Sequence, residues 1–361
     1  MTATQPTISA NAPKVLPHLP PQIAMLQMIG GFRVSRAIYV AAELGIADLL
    51  AKSSQTVEEL AQATGTHPRS LYRVLRALAS LGVFTEAEDS QFHLTPIGEY
   101  LRSDVSDGIA ATVKLLGESW HWQIWGNLCD SVQTGQAAFD RQYGQNFFDY
   151  SEQNPEFGRK HGPSKTSISA RASASLVECY DFTNLNQVVD VNLFGGYGNS
   201  LIPLLRAHPH LQGVLYDLPC VIESARPAIA QADRTDPTVA IKERIQLVEG
   251  HCLDAVPSGG DAYLLMFVLH NWDDLRTIKI LQNCYAAMSS TAKLLIVEMM
   301  MPKGNDPFVG KFIDLESLLI TPGGYERTVS QYQSLLEAAG FRMTRMIATR
   351  TANSIIEAVK A

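Results

Sequence analysis

Apolar positions follow two rhythms in this chain. From residue 185 onward, short runs rich in Val, Ile and Leu alternate with stretches at helical spacing. The runs predict strands at 187–191, 213–217, 245–249, 261–266, 293–298, 341–347 and 354–359, with helices between most of them. Such alternation predicts a doubly wound α/β domain with a mainly parallel, Rossmann-like sheet. The last two runs are separated by only a short turn, so they predict an antiparallel hairpin at one edge.

Residues 21–110 follow the helical rhythm and end in a small β unit. Ile23, Leu26, Met28 and Ile29 begin an apolar face, and Ala37–Leu50 continues it. Thr56 and Glu59 have the spacing of a capping box before a short helix. Pro68–Leu78 forms the next helix, and 82–84 with 92–94 form the two strands of a wing. The outline is a winged helix-turn-helix, which serves either DNA binding or dimerisation. Residues 1–110 carry 8 Lys and Arg against 10 Asp and Glu, a poor match to phosphate. The apolar surface of 23–50 exceeds what one small winged helix buries, so dimerisation is the better reading. Residues 111–184 read as a helical connector whose Trp120, Trp122, Trp125, Phe139, Phe147, Phe148 and Tyr150 build a core and one wall of a pocket. Residues 1–20, rich in Thr, Pro and Ala, read as a flexible tail, leaving 185–361 as the α/β domain.

Composition narrows the function. The net charge of −7 argues against a nucleic-acid partner. With 46% hydrophobic and 18% charged residues, the chain can fill a substantial core. Five cysteines (129, 179, 220, 252 and 284) are dispersed without a CxxC pair, which suits a reducing cytoplasm and gives no metal pattern. No apolar run is long enough for a membrane span, and the first residues lack a secretion-signal design.

The chemistry gathers at the ends of the predicted strands. The strand Val188–Val191 runs into Asn192-Leu-Phe-Gly-Gly-Tyr-Gly198, and the next strand ends on Asp217. Glycines let backbone approach a nucleoside closely, and an acid at the second strand tip accepts hydrogen bonds from ribose hydroxyls. His270 follows the strand 261–266 and is placed as a general base. Glu298 ends the following strand, and Glu326 lies in the loop Gly323–Thr328. A carboxylate on one imidazole nitrogen leaves the other to take a proton.

Taken in order, several motifs resemble the small-molecule O-methyltransferase family of plant caffeate-type, animal hydroxyindole-type and bacterial tailoring enzymes. They are Val188-Val-Asp-Val191, Gly195-Gly-Tyr-Gly198, Tyr216-Asp-Leu-Pro219, Asp261-Ala-Tyr-Leu-Leu265, Leu269-His-Asn-Trp-Asp273, Val297-Glu298, Asp314-Leu315 and Glu326-Arg-Thr328. The resemblance implies S-adenosylmethionine as cofactor, His270 as base framed by Glu298 and Glu326, and a homodimer formed through the N-terminal domain. It implies a cofactor site of Asp190, Gly195, Gly196, Gly198, Asp217, Leu218, His251, Cys252 and Met266. The acceptor pocket it implies holds Trp120, His161, Lys165, Phe267, Asn271, Trp272 and Asp314. No metal, membrane or nucleic acid is expected, and the other partner is a small aromatic or polyketide-like acceptor.

Departures from the family pattern cluster in the cofactor site. The family has three consecutive glycines after Asp-Val. Here either Asn192–Phe194 forms a loop with a net insertion of two residues after Asp190-Val191, or Asn192 stands in place of the Asp and Phe194 in place of the first glycine. Either way Phe194 crowds the methionine portion of the cofactor unless the loop bulges. His251 stands where an adenine-contacting Asp is usual, Met266 where a lysine is often found, and Asn271 follows the base in place of Asp. His161 and Lys165 replace common Phe and Met. Ordinary drift in a methyltransferase is one reading. Repurposing for hydroxylation, decarboxylation or ring-forming rearrangement is a second, and a non-catalytic binding protein a third.

Overall fold

The computed structural model describes residues 19–87, 90–105, 108–235 and 240–361, with backbone alone at 155 and 158–168. The tail expected over 1–20 lies almost wholly outside them. The chain divides into two compact units after Ser103.

The first unit holds helices α1 (Pro21–Glu43), α2 (Ile46–Leu50), α3 (Val57–Thr64) and α4 (Pro68–Ala79). Its small antiparallel sheet has the order β1 (Gln55–Thr56), β3 (Gln91–Leu94), β2 (Phe84–Glu86). The capping box is present: Thr56 Oγ1 accepts the Glu59 N–H while Glu59 Oε2 accepts that of Thr56. The strand expected from Gly82 starts instead at Phe84, because Gly82 turns the chain out of α4 at φ +75°. The strand β1 was not expected; two residues are too few to show a period. Helix α1 leaves Ile23, Met25, Leu26, Met28, Ile29 and Phe32 exposed.

The second unit begins with helices α5 (Ala110–Gly117), α6 (Ser119–Gly126), α7 (Leu128–Thr134), α8 (Ala138–Tyr143), α9 (Phe147–Gln153) and α10 (Pro155–Cys179). Then follow β4 (Gln187–Val191), α11 (Leu201–Ala207), β5 (Gln212–Asp217), α12 (Pro219–Thr235), α13 (Ile241–Arg244) and β6 (Ile245–Glu249). The chain continues through β7 (Ala262–Met266), α14 (Asp274–Ala287), β8 (Lys293–Met299), α15 (Gly310–Ile320), α16 (Val329–Ala338), β9 (Phe341–Ala348) and β10 (Asn353–Lys360). The sheet order is β6-β5-β4-β7-β8-β10-β9. Strands β4 to β8 pair in parallel, and β10 pairs antiparallel with β8 and β9, which gives the expected edge hairpin.

Successive residues of the central strands feed two separate cores. Val189, Val191, Tyr263, Leu265, Leu294 and Ile296 enter one; Val188, Ala262, Leu264, Leu295 and Val297 enter the other. Burial on both faces is why these strands read as continuous apolar runs. The carboxyl ends of β4, β5, β7 and β8 open on one side of the sheet. There, where strand order reverses about β4, loops have space to build a site.

Candidate active site

His270 lies in a short 3₁₀ turn, Leu269–Asn271, just past β7. Its Nδ1 is 2.7 Å from Glu326 Oε1 and 3.8 Å from Glu298 Oε2. The His270 side chain is 19% exposed, while Glu298 is fully buried. Glu298 Oε1 accepts the backbone N–H groups of Leu269 at 2.9 Å and His270 at 3.4 Å. The second oxygens of Glu298 and Glu326 are buried and have no hydrogen-bond partner among the described residues. Two carboxylates and one imidazole therefore share a poorly hydrated space. Burial alone lowers the His270 pKa, but the charges of Glu298 and Glu326 override it and raise the group to about 9. Burial, reinforced by Glu326 and opposed by His270, pushes Glu298 up to about 7. With Nδ1 donating to Glu326, Nε2 is the nitrogen that takes a proton.

The three ligating atoms lie within 4.8 Å of one another, so a divalent ion is an alternative occupant to a proton. Two ligands on one zinc-sized ion sit about 3.3 Å apart. The 2.7 Å contact of His270 with Glu326 is shorter and favours the proton.

The backbone around this cluster is tightly held. Arg327 is fully buried; it donates to the carbonyls of Leu269 (3.0 Å) and Trp272 (2.7 Å) and to Asp274 Oδ1 (2.8 Å). It thus clamps the loop that bears His270 to the loop that bears Glu326. Trp272 forms an isolated antiparallel bridge with Gly323. A β-carbon at Gly324 would collide with the His270 carbonyl and the Thr321 hydroxyl, so only glycine permits this approach. Asp314 Oδ1 accepts the Glu326 N–H at 2.7 Å, which fixes the backbone of that glutamate. Asn271 Nδ2 donates to the carbonyl of Phe267 at 3.0 Å. Phe267 has φ +58°, and its ring lies 6.1 Å from that of His270.

The glycine turn is folded onto Asp217. This fully buried acid accepts N–H groups from Phe194 (2.8 Å) and Leu218 (2.7 Å) at Oδ1, and from Gly195 (3.0 Å) and Gly196 (2.7 Å) at Oδ2. Burial raises its pKa and these four donors oppose the rise. Phe194 is 2% exposed and has φ +62°, a conformation that costs a bulky residue about 1–3 kcal/mol. A β-carbon at Gly196 would meet Leu215 and Asn192 at 2.9–3.0 Å, so a side chain there would have to push those buried neighbours aside. The Ser200 hydroxyl donates to Asp190, whose burial raises it to about 7.

Other expected cofactor residues surround the same strand ends. Leu218 and Cys252 are buried, and His251 Nδ1 accepts the Leu253 N–H at 3.1 Å. Met266 is buried in the second core with its sulfur 3.9 Å from the Ser173 hydroxyl. Of the expected pocket residues, Trp120 packs edge-on to Phe139 and Phe157, and Trp272 stacks on Phe148 at 5.0 Å. Phe148 also meets Phe194, with centroids 6.4 Å apart. The side chains of His161 and Lys165 lie outside the described residues. Sequence reasoning did not single out Ser200, or Arg327 as a clamp. Arg327 carried a signal, an arginine inside an otherwise polar loop directly after a candidate catalytic acid.

Residues 125–342 match the model of the O-methyltransferase domain, and residues 26–104 match the O-methyltransferase dimerisation domain. The chain belongs to this O-methyltransferase family. As such it is an enzyme of the methyltransferase type. A phenazine O-methyltransferase of Lysobacter antibioticus is 39% identical over 92% of this chain and 95% of its own. The structure of a mitomycin 7-O-methyltransferase covers 94% of this chain and 98% of its own at 31% identity, with a TM-score of 0.84. An O-methyltransferase of neocarzinostatin biosynthesis, solved with S-adenosylmethionine and 2-hydroxy-5-methyl naphthoic acid, is 30% identical. It covers 91% of this chain and 96% of its own, with a TM-score of 0.74. Nothing in these comparisons favours the repurposed or non-catalytic readings. Family and neighbours support use of S-adenosylmethionine.

The strand-tip acid and the glycines are in place. As the turn stands, however, Asp217 does not fit a ribose: a carboxylate has about four acceptor directions, and backbone N–H groups occupy all four.

Among the described residues no helix is long and apolar enough to cross a membrane.

Proposed function

We propose that this methyltransferase acts on a hydroxyl of a small, flat aromatic or polyketide-like metabolite, with His270 as the base. The observation that carries the reading is the 2.7 Å pairing of His270 Nδ1 with Glu326 beside Glu298. A phenol has a reference pKa of about 10. An imidazole raised to about 9 makes transfer of that proton less uphill than an ordinary imidazole would. The acceptor hydroxyl gives its proton to Nε2, and Glu326 and Glu298 stabilise the imidazolium that forms. Phe267 and Trp272, beside the His270 turn, and Phe148 behind Trp272 supply the apolar faces that orient a planar acceptor.

The family relatives named for phenazine, mitomycin and a naphthoic acid ligand support an aromatic, multi-ring acceptor. The match to a dimerisation domain and the exposed apolar face of α1 support a homodimer. Five unpaired cysteines support a reducing, cytoplasmic setting. Incubation with S-adenosylmethionine and paired acceptors tests the acceptor class. Methylation of a hydroxyphenazine or hydroxynaphthoate, with the aminated analogues unreactive, is expected. Methylation confined to the amines would contradict it.

A further inference from the structure

The closed turn on Asp217 bears on how this chain admits its cofactor, and the inference rests on the methyltransferase reading above. Three of the four groups on the Asp217 carboxylate come from one short segment, the N–H groups of Phe194, Gly195 and Gly196. The fourth, Leu218, is the next residue in the chain and stays beside the acid whatever the turn does. A nucleoside diol and the turn therefore compete for the same oxygens.

Phe194 holds the turn shut. Its ring is buried against Phe148, which in turn stacks on Trp272, two residues from His270. Leu193 is buried in the same cluster. Asn192 anchors the other end: its N–H donates to the Tyr216 carbonyl at 2.9 Å, and its side chain to that of Asp190 at 3.3 Å. The backbone of Phe194 is left-handed, a conformation that L-residues hold only when surrounding contacts enforce it. Removing the ring contact takes away one of the contacts that enforce it. Opening would free Asp217 and relax that backbone together.

We propose that Phe194–Gly196 is a self-capping turn: in the cofactor-free enzyme its amides occupy Asp217, Phe194 latches it to the aromatic wall, and a nucleoside with adjacent hydroxyls reaches Asp217 only by displacing it. Phe194 is then a positioning residue for cofactor entry.

Stopped-flow mixing with S-adenosylhomocysteine, read by tryptophan fluorescence, tests this on the full chain. For the unaltered protein the observed rate should reach a plateau as ligand rises, because opening limits binding. Phe194→Ala removes the latch while keeping an L-residue at the left-handed position, and should raise the plateau at least tenfold. Hydrogen exchange of a peptide spanning 192–198 supplies a second readout, with Asp217→Asn exchanging at least tenfold faster than the unaltered protein. Thermal unfolding of each variant shows that it is folded. A rate that stays linear in ligand, together with Phe194→Ala within twofold of the unaltered protein, overturns the capped turn and leaves the methyltransferase reading standing. Failure of both proteins to bind S-adenosylhomocysteine overturns both.

Discussion

At the scale of single residues, the cluster makes a signed statement about pH. The base form of His270 is neutral, and the two buried carboxylates hold the imidazole up to about 9. The logarithm of kcat/KM should therefore rise with unit slope through neutrality and level off near pH 9. Glu326→Gln removes one of the charges that favours the imidazolium, so the break should move to lower pH by about one to two units. The plateau rate should also fall, because the neutral amide stabilises the imidazolium less. A break that stays in place or moves upward would contradict the assignment. His270, Glu298, Glu326 and Asp217 were legible in the sequence because each directly follows or ends a recognisable strand, or sits in the loop facing one. What Asp217 touches was not legible. Its partners are backbone amides, and only the path of the turn brings them to the acid. The same holds for Arg327, whose partners are mainly carbonyl oxygens.

Elements were legible in proportion to the regularity of their burial. Strands β4, β5, β7 and β8 are covered on both faces, and their apolar runs marked them to within a residue. The small sheet of the first unit was less well marked, because its strands are short and half covered. The loop between α15 and α16 gave no periodic signal, yet it delivers Glu326 through contacts that need Gly324. Gly324→Ala should destabilise the protein by about 1–3 kcal/mol through overpacking. It should also lower kcat more than Thr328→Ala, which removes the α16 cap at a cost of about 1 kcal/mol without forcing the two loops apart. Chemical denaturation and initial rates check both. Equal losses of kcat in the two variants would show that the close approach of the loops does not position the base.

For the whole molecule, alternating strands and helices announced the α/β unit, and charge balance with excess apolar surface separated dimerisation from DNA binding. The face of α1 carrying Leu26 and Ile29 is exposed in the single chain. Sedimentation should show a dimer for the unaltered protein and a monomer for the double variant Leu26→Asp, Ile29→Asp. A variant that stays dimeric would place the interface elsewhere. The central claim is that the His270–Glu326–Glu298 cluster performs methyl transfer to a hydroxyl. The most direct test measures labelled methyl transfer from S-adenosylmethionine to a hydroxyphenazine by the unaltered enzyme and by His270→Ala, with cofactor affinity measured in parallel. The account predicts a loss of about 10²–10⁴-fold in kcat with cofactor affinity unchanged. Near-full turnover by His270→Ala would contradict it.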